Sequence, residues 1–375
     1  MSRTCDFLVV GGGIAGASAA YELAARGKVI LLEREERPGY HTTGRSAAQF
    51  VETYGNASVR ALTRAARAFY EAPPAGFTEH PLLSPRATLF VARADQQEAL
   101  AAYLADVAPQ SPDIEELTGA QAEALVPVLR PDYTDAAVLD PEGYDIDVHA
   151  LHQGYLTGLR QRHGEIAVRA EVTALAWRGG AWQVEAGGEG YAAAVVVNAA
   201  GAWGDELAAL AGAKPVGLVP KRRTAVTFDA PAGVDPAPWP LVVDAEEAFY
   251  FKPEAGRILA SPADETPSPP CDAQPEELDV AIVMDRLEKA TTLAPRRLEH
   301  KWAGLRTFAA DKSLVIGRDE TLEDFFWLVG QGGYGFQTAP AAARSAAGLL
   351  LDGALPADIA AQGVTEAELS PARLR

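Results

Sequence analysis

Three glycines and one acid are the first residues in this chain whose types and spacing imply chemistry. Gly11, Gly13 and Gly16 follow the apolar run Phe7-Leu8-Val9-Val10 and fill the G-x-G-x-x-G spacing, and Glu33 stands 20 residues beyond Gly13. Each suits a pyrophosphate for a separate reason. Gly11 permits a tight turn, Gly13 lets the backbone approach the phosphates, and Gly16 allows close helix–strand packing. A helix opening behind them, with Ile14 and Ala15 in its first turn, offers unpaired N–H groups and a positive dipole end. A carboxylate at Glu33 accepts from ribose hydroxyls and repels a 2′-phosphate. Other clusters are less specific. The stretch His41-Thr42-Thr43-Gly44-Arg45-Ser46-Ala47-Ala48 is small and hydroxyl-rich, which suits close contact with a ligand or a surface loop. His149 and His152 are three apart on one helix with no further ligand near them, so they do not imply a metal. On residue type alone, Lys221-Arg222-Arg223 reads as a solvated basic run.

The glycine motif has meaning only between a strand and a helix, and the sequence supplies both. Residues 7–10 read as a buried parallel strand, residues 14–26 as an Ala-rich helix stopped by Gly27, and residues 28–32 as a second strand. Residues 192–198 repeat the pattern as an apolar run entering Ala199-Ala200-Gly201-Ala202-Trp203 and a helix over 204–211. Near the end, residues 325–329 run as a strand into Gly330-Gln331-Gly332-Gly333-Tyr334-Gly335, with a helix expected over 340–351. Other helices are expected over 57–71, 95–106, 148–162 (capped by Asp147) and 275–292. Strands are expected over 87–92, 165–177, 181–185, 224–228 and 249–252, and an exposed loop over 262–275. The fold class expected is α/β (α+β overall). A Rossmann-type dinucleotide domain over 1–80, 146–214 and 303–375 is interleaved with a mixed-sheet substrate domain over 81–145 and 215–302.

Composition narrows the partners. The 375 residues are 48% hydrophobic and 22% charged, ordinary values for a globular protein. A net charge of −18 repels nucleic acid and anionic membranes, so an anionic substrate must be drawn in by a local cationic pocket. Cys5 and Cys271 alone give neither a disulfide framework nor a thiolate metal cluster. The N-terminus carries no basic and apolar leader, and no apolar run reaches about 18 residues. The expectation is a soluble, cytoplasmic protein with no integral membrane segment.

Several blocks together resemble the D-amino-acid-oxidase-like (DAO) flavoproteins, whose fold is glutathione-reductase-like. They are Val9-Val10-Gly11-Gly12-Gly13-Ile14-Ala15-Gly16, Gly44-Arg45-Ser46-Ala47-Ala48, Asn198-Ala199-Ala200-Gly201-Ala202-Trp203, Trp302-Ala303-Gly304-Leu305-Arg306 and Gly330-Gln331-Gly332-Gly333-Tyr334-Gly335. Within that group, Pro38-Gly39-Tyr40-His41, Glu79-His80-Pro81-Leu82, Leu151-His152-Gln153-Gly154-Tyr155-Leu156 and Pro220-Lys221-Arg222-Arg223 look like the bacterial FAD-dependent D-arginine dehydrogenases. The resemblance spans essentially the whole chain and implies FAD, a choice that spacing could not make. It places Gly11, Gly13, Ile14, Ala15 and Gly16 at the pyrophosphate, and Glu33 and Arg34 at the adenosine ribose. Thr43, Arg45, Ser46, Ala47 and Ala48 would line the ribityl and flavin side, and Val172 the adenine side. Ala200, Gly201 and Trp203 would meet the nucleotide, and Gly304, Gly332, Gly333, Tyr334, Gly335, Gln337 and Thr338 the isoalloxazine end. No cysteine lies near Arg306 or the last glycine turn, so the flavin is expected to be non-covalent.

The same resemblance implies that Arg223 and Arg306 grip a substrate carboxylate with help from Tyr54 and Tyr250, near Gly333. Guanidinium suits this task as a permanently charged, fork-shaped donor. The implied reaction is hydride transfer from the α-carbon of a D-amino acid to FAD N5, giving an imino acid and then a 2-oxo acid and ammonia, with a quinone-type acceptor or dioxygen taking the electrons. Two positions depart from the D-arginine pattern: Thr88 replaces a glutamate that receives a cationic side chain, and Gln49 replaces an active-site histidine. The expectation is therefore a preference for uncharged over cationic D-amino acids. The alternatives are a related amine or 2-hydroxy-acid oxidase (glycine or sarcosine oxidase-like) and a flavoprotein subunit without turnover.

Overall fold

The computed structural model describes residues 2–111, 113–322 and 324–375. The apolar run before the glycines ends the strand Arg3–Val10, whose last four residues are all buried. This strand lies in parallel between Val29–Leu32, with Phe7 opposite Val29, and Glu189–Asn198, with Val10 opposite Asn198. Phe325–Val329 continues the parallel set, Val196 facing Phe325. Strands covered on both faces need unbroken apolar runs rather than alternation, which these segments have. One face of the eight-stranded sheet joins Val9, Leu31, Val197 and Phe326 to a core under helices. The other buries Leu8, Ile30, Val196 and Trp327. The helix behind the glycines, Ile14–Leu23, packs between Val148–Gln161 and Gly335–Leu351.

A second, nine-stranded sheet is mixed. Val219–Phe228 pairs antiparallel with His300–Phe308, Arg257–Ser261 and Thr266–Pro267, while Leu241–Asp244 runs parallel to Thr88–Ala92. Val226, Phe228, Phe251 and Ile258 form its core with Val280, Val283 and Leu287 of the helix Glu277–Ala290. A three-stranded sheet of Gln49–Phe50, Tyr144–Ile146 and Leu83–Pro85 completes the strands.

Some expected boundaries move. The first helix ends at Leu23 and a turn carries the chain to Gly27. The segment 165–177 is two strands, Glu165–Ala167 and Val172–Arg178. The strand expected from residue 224 begins at Val219, and the loop over 262–275 is partly ordered by the pairing of Thr266 with Arg222. The largest change is in the helix Gly335–Leu351, which has Pro340 inside it and begins five residues before the expected start. Proline supplies no N–H, so the carbonyl of Phe336, four residues earlier, has no helical donor. The Tyr70 hydroxyl donates to it instead at 2.5 Å. A tertiary hydrogen bond thus lets the helix start where local sequence puts a turn.

Candidate active site

The glycine turn is held by close contacts that a side chain would destroy. Gly11 has φ +112°, and a Cβ there would lie 2.3 Å from the Ala199 carbonyl oxygen. A Cβ on Gly16 would lie 1.8 Å from the Gly11 carbonyl oxygen, which explains the third glycine as packing rather than ligand contact. Gly13 is the N-cap of Ile14–Leu23 and brings no side chain to the helix end. The Ile14 N–H donates to Thr43 Oγ1 at 2.9 Å, tying the hydroxyl-rich segment to that turn. Glu33 accepts from Gly12 N–H at 3.0 Å and Glu35 N–H at 2.9 Å. Burial raises its carboxyl pKa, and these two N–H groups offset only part of the effect.

A cleft runs from this turn to the second sheet. Its wall includes Gly11, Gly13, Ile14, Ala15, Glu33, Arg34, Thr43, Arg45, Ser46, Ala47, Val172, Ala200, Gly201, Trp203, Gly304, Gly332, Gly333 and Gly335, together with Arg223, Tyr250 and Arg306. Gly16, Ala48, Tyr334, Gln337 and Thr338 are off the wall. Gln337 Nε2 donates to Thr63 Oγ1 at 2.9 Å and Thr338 Oγ1 to the Tyr334 carbonyl at 2.8 Å, so both side chains are engaged inside the helix packing. The Arg45 guanidinium is engaged with protein, donating to the carbonyls of Ala273 (2.8 Å) and Ala303 (3.0 Å) and to Asp272.

Strand alternation aims the cations. In the register of Val219–Phe228 with His300–Phe308, Arg306 faces Lys221 and Gly304 faces Arg223. Side chains two apart share a face, so Lys221, Arg223 and Arg306 stand together on one side of the sheet. Arg222 points to the other side, onto Asp279 (3.1 Å) and Glu276 (2.5 Å). Lys221 was legible as part of this set only if the strand is begun before residue 224. Arg223 is positioned by the 262–265 loop: its Nε donates to the Asp264 carbonyl at 2.8 Å and Nη2 reaches Glu265 at 3.4 Å. Lys221 Nζ takes the other Glu265 oxygen at 2.7 Å.

Arg306 differs from every cation around it. Among the described residues no carboxylate pairs with it; its partner is the Tyr54 hydroxyl, 3.4 Å from Nη1. A Cβ on Gly333 would come within 3.0 Å of that nitrogen, so glycine lets the last turn pass over the guanidinium. Burial works against the charge, but Tyr54 and Tyr250 more than compensate and hold its pKa above the ordinary value. For Tyr250, burial pushes the phenol up. Arg306 and Arg223 pull harder in the other direction, and its pKa lies below the usual tyrosine value. Tyr54 stacks edge-on against Tyr334 with ring centroids 5.1 Å apart, close to the cleft but not on its wall. Gln49 and Thr88 are also off the wall, and Gln49 Nε2 and Thr88 Oγ1 are buried without hydrogen-bond partners.

Among the described residues no cluster of His, Cys, Asp or Glu could hold a metal, and no helix is long and apolar enough to cross a membrane. The glycine turn, the acid at the end of the second strand and a helix N-terminus whose N-cap is a glycine fit the diphosphate and ribose of a dinucleotide. Comparison with known proteins identifies which dinucleotide. The model of the FAD dependent oxidoreductase family (DAO) matches residues 6–349. The uncharacterized oxidoreductase YurR of Bacillus subtilis (strain 168) is 23% identical over 368 residues, covering 92% of this chain and 95% of that protein. In fold, the chain is similar to L-proline dehydrogenase from P. horikoshii, with TM-score 0.83, 21% identity, and 100% of this chain and 98% of that one covered. It is likewise similar to L-alpha-glycerophosphate oxidase from Mycoplasma pneumoniae with FAD bound, with TM-score 0.82, 22% identity, and coverage of 93% and 95%. A match that begins in the opening strand and ends within the helix Gly335–Leu351 takes in both walls of the cleft, and the chain therefore belongs to the FAD dependent oxidoreductase (DAO) family, with FAD as its cofactor.

Proposed function

We propose that the protein oxidises the α-carbon of a D-amino acid with an uncharged side chain. Arg306 and Arg223 hold the carboxylate, with Tyr250 lining the same end of the cleft and Tyr54 behind the wall against Arg306. The observation that carries this reading is the half-buried charge of Arg306 on the cleft wall, with no carboxylate partner among the described residues. A partly desolvated cation without a counter-charge is costly, and a ligand carboxylate that accepts from its fork reduces the penalty. Arg223 adds a second guanidinium on the same sheet face, already oriented by Asp264. FAD supplies the two-electron acceptor for a hydride leaving the α-carbon. In this reading the Tyr54 hydroxyl, beside Arg306, relays the amine proton to water, giving up its own proton as it accepts one. The product is an imino acid that water converts to a 2-oxo acid and ammonia.

The D configuration and the neutral side chain rest on the sequence blocks shared with D-arginine dehydrogenases and on Thr88 and Gln49 at the two departures. The cofactor residues on the cleft wall are assigned as in the sequence reading, with FAD non-covalent because neither Cys5 nor Cys271 lines the cleft. An anaerobic panel read at the flavin absorption band tests the proposal, using D- and L-Leu, Phe, Met and Arg with glycine, sarcosine and 2-hydroxy acids. Bleaching by D-Leu, D-Phe or D-Met ahead of D-Arg is expected. Preference for an L-enantiomer, a 2-hydroxy acid or D-Arg overturns it, and no bleaching by any compound indicates a subunit without turnover. Repeating the reaction in air and measuring peroxide separates dioxygen from a quinone-type acceptor.

A further inference from the structure

We propose that His152 is a positioning residue for FAD: it holds the Gly12 carbonyl and so turns the Gly13 N–H toward the pyrophosphate. His152 lies on the helix Val148–Gln161, is 4% exposed, and sits with Nε2 2.9 Å from the Gly12 carbonyl oxygen. A carbonyl only accepts, so Nε2 carries the hydrogen and the tautomer is fixed. The N–H of the same glycine donates to Glu33 Oε2 at 3.0 Å. Gly12 is therefore gripped at both polar ends, by side chains from two different elements. Among the described residues no peptide bond is cis. In a planar trans peptide the carbonyl of one residue and the N–H of the next point in opposite directions. Fixing Gly12 C=O toward the helix Val148–Gln161 fixes Gly13 N–H away from that helix. Gly12 and Gly13 both border the cleft, and Gly13 caps the helix whose N-terminus faces it.

The ring has no room to turn away. A Cβ on Gly39, which has φ +79°, would lie 2.9 Å from His152 Cε1, so the turn at Gly39 closes over the imidazole. Burial pushes the His152 pKa down, which keeps the ring neutral with one N–H. This inference rests on the dinucleotide reading of the cleft and is independent of the substrate. It assigns a ligand-ordering duty to a histidine whose spacing from His149 implies no metal.

The test compares His152→Gln with His152→Met, two side chains of equal length of which only the first can donate. FAD release is followed by flavin fluorescence on dilution of each purified holoenzyme. His152→Met is expected to weaken FAD binding about tenfold, the cost of a buried carbonyl left without its donor. His152→Gln should stay within about threefold of the parent. With FAD saturating, the KM for substrate should change less than twofold in both. Equal losses in the two variants, or parent-like FAD retention by His152→Met, overturn the proposal. If His152→Met does not fold, His152→Phe takes its place in the same comparison.

Discussion

Removing one hydroxyl tests how the helix Gly335–Leu351 tolerates its internal proline. Tyr70→Phe keeps the ring, which packs edge-on against Phe50 with centroids 5.2 Å apart, and deletes the donor to the Phe336 carbonyl. Tyr70 is 2% exposed, and burial holds its phenol well above the usual pKa, so it donates at any ordinary pH. A buried carbonyl left without a partner costs about 1–3 kcal/mol. Unfolding entropy of about 2.1 cal/mol/K per residue, taken over 375 residues, converts this to a fall in Tm of roughly 1–4 °C. The decisive experiment is a double-mutant cycle by thermal unfolding of the FAD-saturated protein. Pro340→Ala restores an N–H four residues after Phe336. In that background Tyr70→Phe should cost less than half as much, because the helix now satisfies its own carbonyl. An equal cost in both backgrounds would show that the hydroxyl contributes by some route other than the carbonyl freed by Pro340.

Three further outcomes follow from the cation-lined end of the cleft. Arg306→Gln should lower kcat/KM by roughly 30- to 4,000-fold, the equivalent of about 2–5 kcal/mol for truncating a buried charge partner, with FAD content unchanged; loss of flavin instead would move Arg306 from substrate binding to cofactor binding. Glu265→Gln removes the carboxylate that faces Arg223 and Lys221, and should tighten binding of an inert carboxylate such as propionate about two- to fivefold. Weaker binding would mean that Glu265 orients Arg223 rather than competing for it. The lowered Tyr250 phenol gives the sign of a pH effect: as pH rises through its pKa, a new negative charge appears beside both guanidiniums and propionate affinity falls. In Tyr250→Phe that alkaline loss should vanish, and an unchanged profile would assign it to another group.

The dinucleotide half of the protein was readable because its signals are local. Continuous apolar strands, glycines needing positive φ or close approach, and an acid at the end of the second strand all lie within 33 residues. The helix Gly204–Ala211 and the strand Phe325–Val329 were legible for the same reason. Features fixed by distant partners were not. Nothing near Pro340 announces that Tyr70 supplies the missing donor, so the start of Gly335–Leu351 read five residues late. Beginning a strand at residue 224 hid the alternation that puts Lys221 and Arg223 on one face, and Arg223 looked like a solvated cation. His152 was noticed for its distance from His149, whereas its partner is a glycine 140 positions earlier.

The neighbouring arginines of Val219–Phe228 give the strand an indexing pin. Arg222 is anchored by acids on the scaffold side, so sliding the strand by one place would bury that anchor in the cleft and carry Arg223 out of it. A substitution at 221 or 223 therefore alters what the strand presents on the cleft side while Arg222 holds its frame of reference.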